Sequence, residues 1–283
     1  MKPLLVFQTD FTYAEGAVAA MYGVVKTVDR ELEIMTATHQ IPQYDTYSAS
    51  YRLYQYMKYW PKGTIFVSVV DPGVGTSRRA CVARTANGYY IVTPDNGTLS
   101  HVEKYYGIDE IRVIDETINR LRTGDNEEVS IFHGRDLFGY CAARLASGLI
   151  SFEEVGPVYD KSLIVMHELH DETVAGDRIK GIIEINDPNF GNLWTCIPKK
   201  VFEEFGFSHG DKIRTLIYHN DKIVFDDELF YYESFGMADD HTVMIYNNEV
   251  NKIALAEVVG NLEKSYKLGY GPDYRVEFVK KYE

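Results

Sequence analysis

The chain has 283 residues, 45% hydrophobic and 25% charged, which supplies a full core for one large or two medium domains, and two are expected. A formal net charge of −13 argues against a nucleic-acid partner, because phosphate binding needs clustered Lys and Arg, and it suits a cationic ligand or simple solubility. No apolar run approaches the ~18 residues that span a bilayer, Met1-Lys2-Pro3 does not open a secretory leader, and three scattered cysteines (Cys81, Cys141, Cys196) favour a reducing, cytoplasmic setting over a disulfide scaffold.

In chain order, PLLVFQ (3–8) reads as a short buried strand ending in Thr9-Asp10-Phe11. GAVAAMYGVVKTV (16–28) carries Val18, Met21 and Val25 at helical spacing. LEIMTAT and TIFVSVV read as further strands with the helix TYSASYRLYQYMKYW between them, and GYYIVTPDNG holds another strand that stops at a turn. RDLFGYCAARLASG (135–148) repeats Leu137, Cys141 and Leu145 at i, i+4, i+8, with Gly148 as its stop. Alternating strands and helices predict an α/β fold with a largely parallel central sheet. After about residue 170 the pattern changes to RIKGIIEIND, LWTCI, DKIRTLIY, KIVFDDELFYY, HTVMIYNN, NKIALAEVV and YRVEFVKKY. These short β-like runs, parted by Gly, Asn and Asp turns, suggest an all-β sandwich or small barrel. The polar stretch MHELHDETVAGD marks the boundary, giving domains over 1–168 and 175–283.

Polar residues recur where the N-terminal strands end: Asp10, His39, Asp71, and Asp95-Asn96. The carboxyl ends of strands line the ligand crevice of open α/β sheets, although Asp and Asn also serve as turn formers and helix caps. DPGVGT (71–76) has no P-loop lysine, and its glycines permit tight turning and close backbone approach. Thr76 and Arg78-Arg79 follow; a strand starting at Ser77 would send the two arginines to opposite faces, leaving one for the crevice. FHGRD (132–136) sets His133 before a helix that Asp136 could cap. HELH (167–170) places two His at i, i+3 in an exposed linker without further ligands, so no metal is expected there. In INDPNFGNLWTCIP, Phe190, Asn192 and Trp194 share one face of an extended segment, a set that can stack a flat heterocycle and read its edge or equally fill a barrel core.

Together VVDPGVGTSRR, TPDNG, FHGRD and DPNFGNLWT, preceded by TDF (9–11) and THQIPQYD (38–45), resemble the S-adenosyl-L-methionine (SAM) hydroxide adenosyltransferases, relatives of the fluorinating and chlorinating SAM enzymes. The resemblance spans nearly the whole chain. It implies an N-terminal α/β domain, a smaller C-terminal β-barrel, and a homotrimer with sites between one subunit's N-terminal domain and a neighbour's C-terminal domain. It further implies displacement of methionine from C5' of SAM by a water-derived hydroxide, with SAM as substrate, no cofactor, and no metal. Carried over by motif, Asp71, Arg78 and His133 handle the water, and Asp10 binds the ribose hydroxyls. Tyr44 stands near the ribose, Asp187 holds the amino group, and Phe190, Asn192 and Trp194 surround the adenine. Halide-using relatives lack the Asp and His pair, which favours water as nucleophile.

Some positions depart from the family pattern. TDFTYAEG has Thr12 where the family writes Gly and Glu15 where it writes Asp, and Cys196 replaces a common Asn. YNNEVNKIALA puts Glu249 at or near the Ser of the segment that binds the methionine carboxylate. Glu249 therefore raises an alternative to SAM hydrolysis, the same chemistry on another 5'-substituted adenosine, and the changes at Glu15 and Glu249 together raise a second, a non-catalytic adenosine- or SAM-binding protein.

Overall fold

Strands buried on both faces need continuous apolar runs, and the N-terminal sequence supplies them. The computed structural model describes residues 2–122 and 131–280; the last two residues of the predicted strand YRVEFVKKY lie outside them. The chain divides into two compact units, Met1–Glu168 and Leu169–Glu283.

In the first unit, β1 (Leu5–Thr9) and β3 (Ile65–Val69) are buried throughout. With β2 (Ile34–Thr38), β4 (Ala80–Thr85), β5 (Tyr90–Pro94) and β6 (Ile108–Val113) they form one sheet in the order β2-β1-β3-β5-β4-β6. Only β4 runs against the others, so the sheet is largely parallel, as expected. Alternation sends Leu5 and Phe7 to one face and Val6 to the other. The first face packs on α1 (Ala17–Val28) and α4 (Tyr140–Ser147), the second on α2 (Thr46–Tyr56) and α3 (Ser100–Tyr106). On α1 the predicted Val18, Met21 and Val25 are buried, each worth about 1.5–3 kcal/mol over exposure. Gly148, in the left-handed conformation at φ +75°, ends α4 with its N–H on the Arg144 and Leu145 carbonyls. The strand after the two arginines is β4, starting at Ala80, while the helix α3 and the strand β6 are not among the elements read from the sequence.

The reversal of β4 sets the geometry of the site. The chain leaves the carboxyl end of β3, passes over the place β5 occupies, and enters β4 from the same edge, with Ala80 opposite Pro94. Both ends of the connecting turn therefore lie on the sheet's carboxyl edge.

The second unit comprises β7 (Thr173–Ala175), β8 (Arg178–Asp187), β9 (Asn192–Pro198), β10 (Lys212–His219), β11 (Lys222–Tyr231), β12 (Val243–Asn247), β13 (Lys252–Glu257) and β14 (Gly271–Val279). Pairing of β14 with both β10 and β8 closes seven of these strands into a barrel, with β7 added beside β8, which resolves the sandwich-or-barrel alternative. Ile183, Leu193, Phe202, Ile217, Tyr231 and Phe278 belong to its apolar core. Two short helices, α5 (Lys199–Glu204) and α6 (Leu262–Tyr266), complete the unit. No helix among the described residues is long and apolar enough to cross a membrane.

Candidate active site

The turn after β3 brings an acid, a guanidinium and an imidazole together. Gly75, at φ +77°, reverses the chain. The Thr76 hydroxyl donates to the Gly73 carbonyl at 2.7 Å and so closes the turn. A Cβ on Gly73 would lie 3.1 Å from Arg78 Cγ, so the glycine gives the arginine room to fold back. Arg78 Nε then donates to Asp71 Oδ1 at 2.9 Å and Arg78 Nη2 to Asp71 Oδ2 at 2.6 Å, a bidentate, charge-assisted pair. Both side chains are under one-tenth exposed. Nη2 also donates to His133 Nδ1 at 2.7 Å. The strand begins at Ala80 rather than at Ser77, yet the two arginines do diverge: Arg79 Nε goes to Asp95 Oδ2 at 3.0 Å.

Arginine has no acceptor, so Nδ1 of His133 must carry the lone pair in this bond, and the ring proton sits on Nε2. Burial, with the Arg78 charge second, lowers the His133 pKa, so the ring is neutral at pH 7. His133 lies at the start of a π-helical turn, Gly134–Gly139, that leads into α4; such turns recur at functional sites. Phe138 on this turn lies under the Arg78 guanidinium, 5.2 Å from ring centre to Cζ. Asp136 does not cap the helix, which has no side-chain cap; its buried carboxylate pairs with Arg135 instead.

Asp10 follows β1 on the same edge, and Thr9 is in register with Val69 of β3. Its Oδ2 accepts the Tyr44 N–H at 2.9 Å, holding Tyr44 at φ +66° with its side chain largely outward. Burial raises the Asp10 pKa, and the nearby Asp71 charge adds to this against the Tyr44 bond. Glu15 accepts the Ala17 N–H at 3.0 Å, at the start of α1. The other strand-end residues serve the scaffold. Buried His39 bonds Thr9 Oγ1 and Tyr22 Oη, both at 2.8 Å, while Asp95 accepts from Arg79, Tyr159 and the Val165 N–H. Asn96 donates to the Val70 carbonyl at 2.8 Å and steadies the exit from β3. His167 is not in an exposed linker: it is part-buried, bonded to Thr46 and packed on Tyr47.

The C-terminal unit carries a cavity of about 640 Å³ lined by the expected Asp187, Phe190, Asn192, Trp194 and Glu249. Phe190 lies in the turn before β9 rather than in an extended segment, because Gly191 at φ +70° reverses the chain. All three members of the predicted set still reach the cavity, Phe190 60% exposed and Trp194 4%. Trp194 Nε1 donates to Tyr246 Oη at 3.1 Å. Burial, followed by the Asp187 and Glu249 carboxylates, pushes the Tyr246 phenol up. Sequence reasoning missed Tyr246, Asn248 and Glu233; an aromatic, two amides and an acid at a strand end, YNNE, was the available signal for the first two, and Glu233 had none.

Residues 5–156 match the SAM hydroxide adenosyltransferase N-terminal domain and residues 181–275 the corresponding C-terminal domain. A relative from Methanocaldococcus jannaschii, named (R)-S-adenosyl-L-methionine hydrolase, is 29% identical over 94% of this chain and 93% of its own length. A fluorinase from Actinoplanes sp. is 25% identical over 95% of this chain and 96% of its own length. The crystal structure of a conserved protein from Thermotoga maritima superposes with a TM-score of 0.88 at 28% identity, covering 98% of this chain and all of that one. With both domains matched in order and the expected strand-end acid and histidine both bonded to the expected arginine, the chain belongs to the SAM hydroxide adenosyltransferase family.

Proposed function

We propose that this protein hydrolyses SAM to adenosine and methionine. The observation that carries the reading is the hydrogen-bonded array Asp71–Arg78–His133 on the sheet's carboxyl edge. Water attacks C5' of the ribose as the C5'–S bond breaks. The bonding pair passes to sulfur, which leaves as a neutral thioether, so no acid is required for departure. The difficulty lies in the nucleophile, since bulk water has a pKa of about 15.7.

Asp71 orients the water and takes its proton, a contribution of roughly 10²–10⁴ in rate. Arg78 fixes the carboxylate by its two-pronged grip and steadies developing negative charge on the oxygen. Arg78 already occupies His133 Nδ1, so His133 positions the guanidinium and presents Nε2–H rather than acting as the base. In-line placement at C5' supplies much of the rest. Asp10 receives the ribose hydroxyls, with Tyr44 beside the sugar and Glu15 and Thr76 shaping the approaches. Phe190 and Trp194 stack the adenine, Asn192 reads its edge, and Asp187 and Glu249 face the amino-acid end. The assembly is a cytoplasmic homotrimer whose composite sites join the N-terminal unit of one copy to the C-terminal unit of another, working without metal or cofactor. The relatives' name specifies the (R) sulfonium, so both epimers belong in the assay.

The test is Asp71→Asn with (R)- and (S)-SAM. Adenosine formation falls at least about 10²-fold while adenosine itself still binds. Undiminished turnover would remove Asp71 from the chemistry.

A further inference from the structure

The cavity of the C-terminal unit has a lopsided charge. Asp187, Glu233, Glu249 and Glu257 all line it, and no Lys, Arg or His does. Glu257 is partly engaged, accepting from Ser265 Oγ at 2.6 Å and the Asn261 N–H at 3.2 Å, and pairing with the exposed His241. Asp187 and Glu249 both act on the Tyr246 phenol, so their charges converge on one part of the wall.

A second observation is independent of these acids. Asn248, which lines the same cavity and is 4% exposed, spends its Oδ1 on the Val250 and Lys252 N–H groups at 3.1 and 3.0 Å. Its Nδ2 is buried with no hydrogen-bond partner. A buried donor left unmade is costly, and a small turn of the amide toward the cavity would let a neutral acceptor, such as a heterocycle nitrogen, satisfy it. The cavity is thus built for a ligand that combines a flat base with positive charge. No three His, Cys, Asp or Glu side chains among the described residues are grouped to hold a metal ion, so these carboxylates suit an extended organic cation.

SAM fits this only in part. Its sulfonium and ammonium are welcome, but on the C-terminal unit's side of the site its carboxylate would meet acids with no Lys, Arg or His in that lining to pair with, and like-charge contacts discriminate strongly. Resting on the hydrolytic reading above, we propose that the preferred substrate is an S-adenosyl sulfonium whose sulfur chain ends in an amine and carries no carboxylate. Attack at C5' and departure of a neutral aminoalkyl thioether balance as they do for SAM.

The experiment compares kcat/KM for SAM and decarboxylated SAM, with adenosine as the common product. The decarboxylated compound is expected to be favoured at least tenfold. Glu249→Gln, which keeps the shape and removes the charge, should shrink that ratio at least fivefold, mainly through KM. Glu233→Gln should act in the same direction and serves if the first variant fails to fold. Equal or better use of SAM by the unaltered protein would overturn the inference and leave the hydrolase reading standing. Adenosine from neither compound would overturn both. A tenfold preference untouched by both variants would refute the role given to the cavity acids.

Discussion

Acid should destabilise this protein through His39 in particular. The ring is 1% exposed, bonded on one side to Thr9 and on the other to Tyr22, and burial lowers its pKa from 6.5 to about 4. A histidine whose folded pKa is depressed contributes stability that is fully present above the unfolded value and lost as pH falls through the folded one. The window here runs from pH 6.5 down to about 4. At ~1.4 kcal/mol per pKa unit the loss is about 3 kcal/mol, a large part of a typical stability of roughly 5–15 kcal/mol. His133 and His167, also lowered by burial, add in the same direction. Urea unfolding of the unaltered protein and of His39→Gln at pH 7 and pH 4.5 isolates the His39 share. The unaltered protein should lose about 2–3 kcal/mol more than the variant over that interval. Equal losses would refute a neutral, desolvated His39. Because His39 bonds the residue before Asp10, the same acid range should weaken nucleoside binding before global unfolding.

Arg78→Lys keeps a charge but replaces the fork that holds Asp71 and His133 with a single ammonium, so kcat should fall at least about 10²-fold with a smaller change in KM, measured by adenosine release. Asp10→Asn removes a carboxylate whose pKa burial raises. Its stabilising contribution is complete below the unfolded pKa of about 3.9 and vanishes as pH rises through the elevated folded value, so the variant should be more stable at pH 7 yet bind adenosine more weakly, by thermal melting and calorimetry. Thr12 sits at φ +58°, a conformation that costs a β-branched residue roughly 1–2 kcal/mol. Thr12→Gly gives back about half of that as glycine's extra unfolded-state entropy. A net gain of about 0.5–1 kcal/mol in urea unfolding is expected, and a loss would mean that the Thr12 side chain matters more than its backbone strain.

The sequence made the strand ends legible because apolar runs that stop at Asp10 and Asp71 leave few places for a polar residue except an edge of the sheet. It also suggested that the two arginines part, although the strand whose alternation was to separate them begins only after both, at Ala80. It could not show that β4 runs antiparallel and that β5 slots between β3 and β4, which is what carries Arg78 back to Asp71; strand order is a long-range property with no local signature. Asp95 and Asp136 misled for a related reason. Asp95 reads as a crevice or turn residue and Asp136 as a cap, and each is instead consumed by an arginine, Arg79 brought in by the fold and Arg135 at the preceding position. In the barrel, Phe190 reached the expected cavity by a different route, since Gly191 permits a reversal that period-two reasoning does not contain. Tyr246 went unnoticed because its significance depends on Trp194 across the sheet, and Asn248 because burial of an amide beside a tight turn leaves no mark in the sequence.

The most direct test of hydrolysis at C5' is incubation of the purified protein with SAM, and in parallel with its decarboxylated form, in water enriched in oxygen-18, followed by mass analysis of the adenosine. The account predicts adenosine carrying one heavy oxygen at C5'. Intact sulfonium after prolonged incubation, or adenosine without the label, would contradict it.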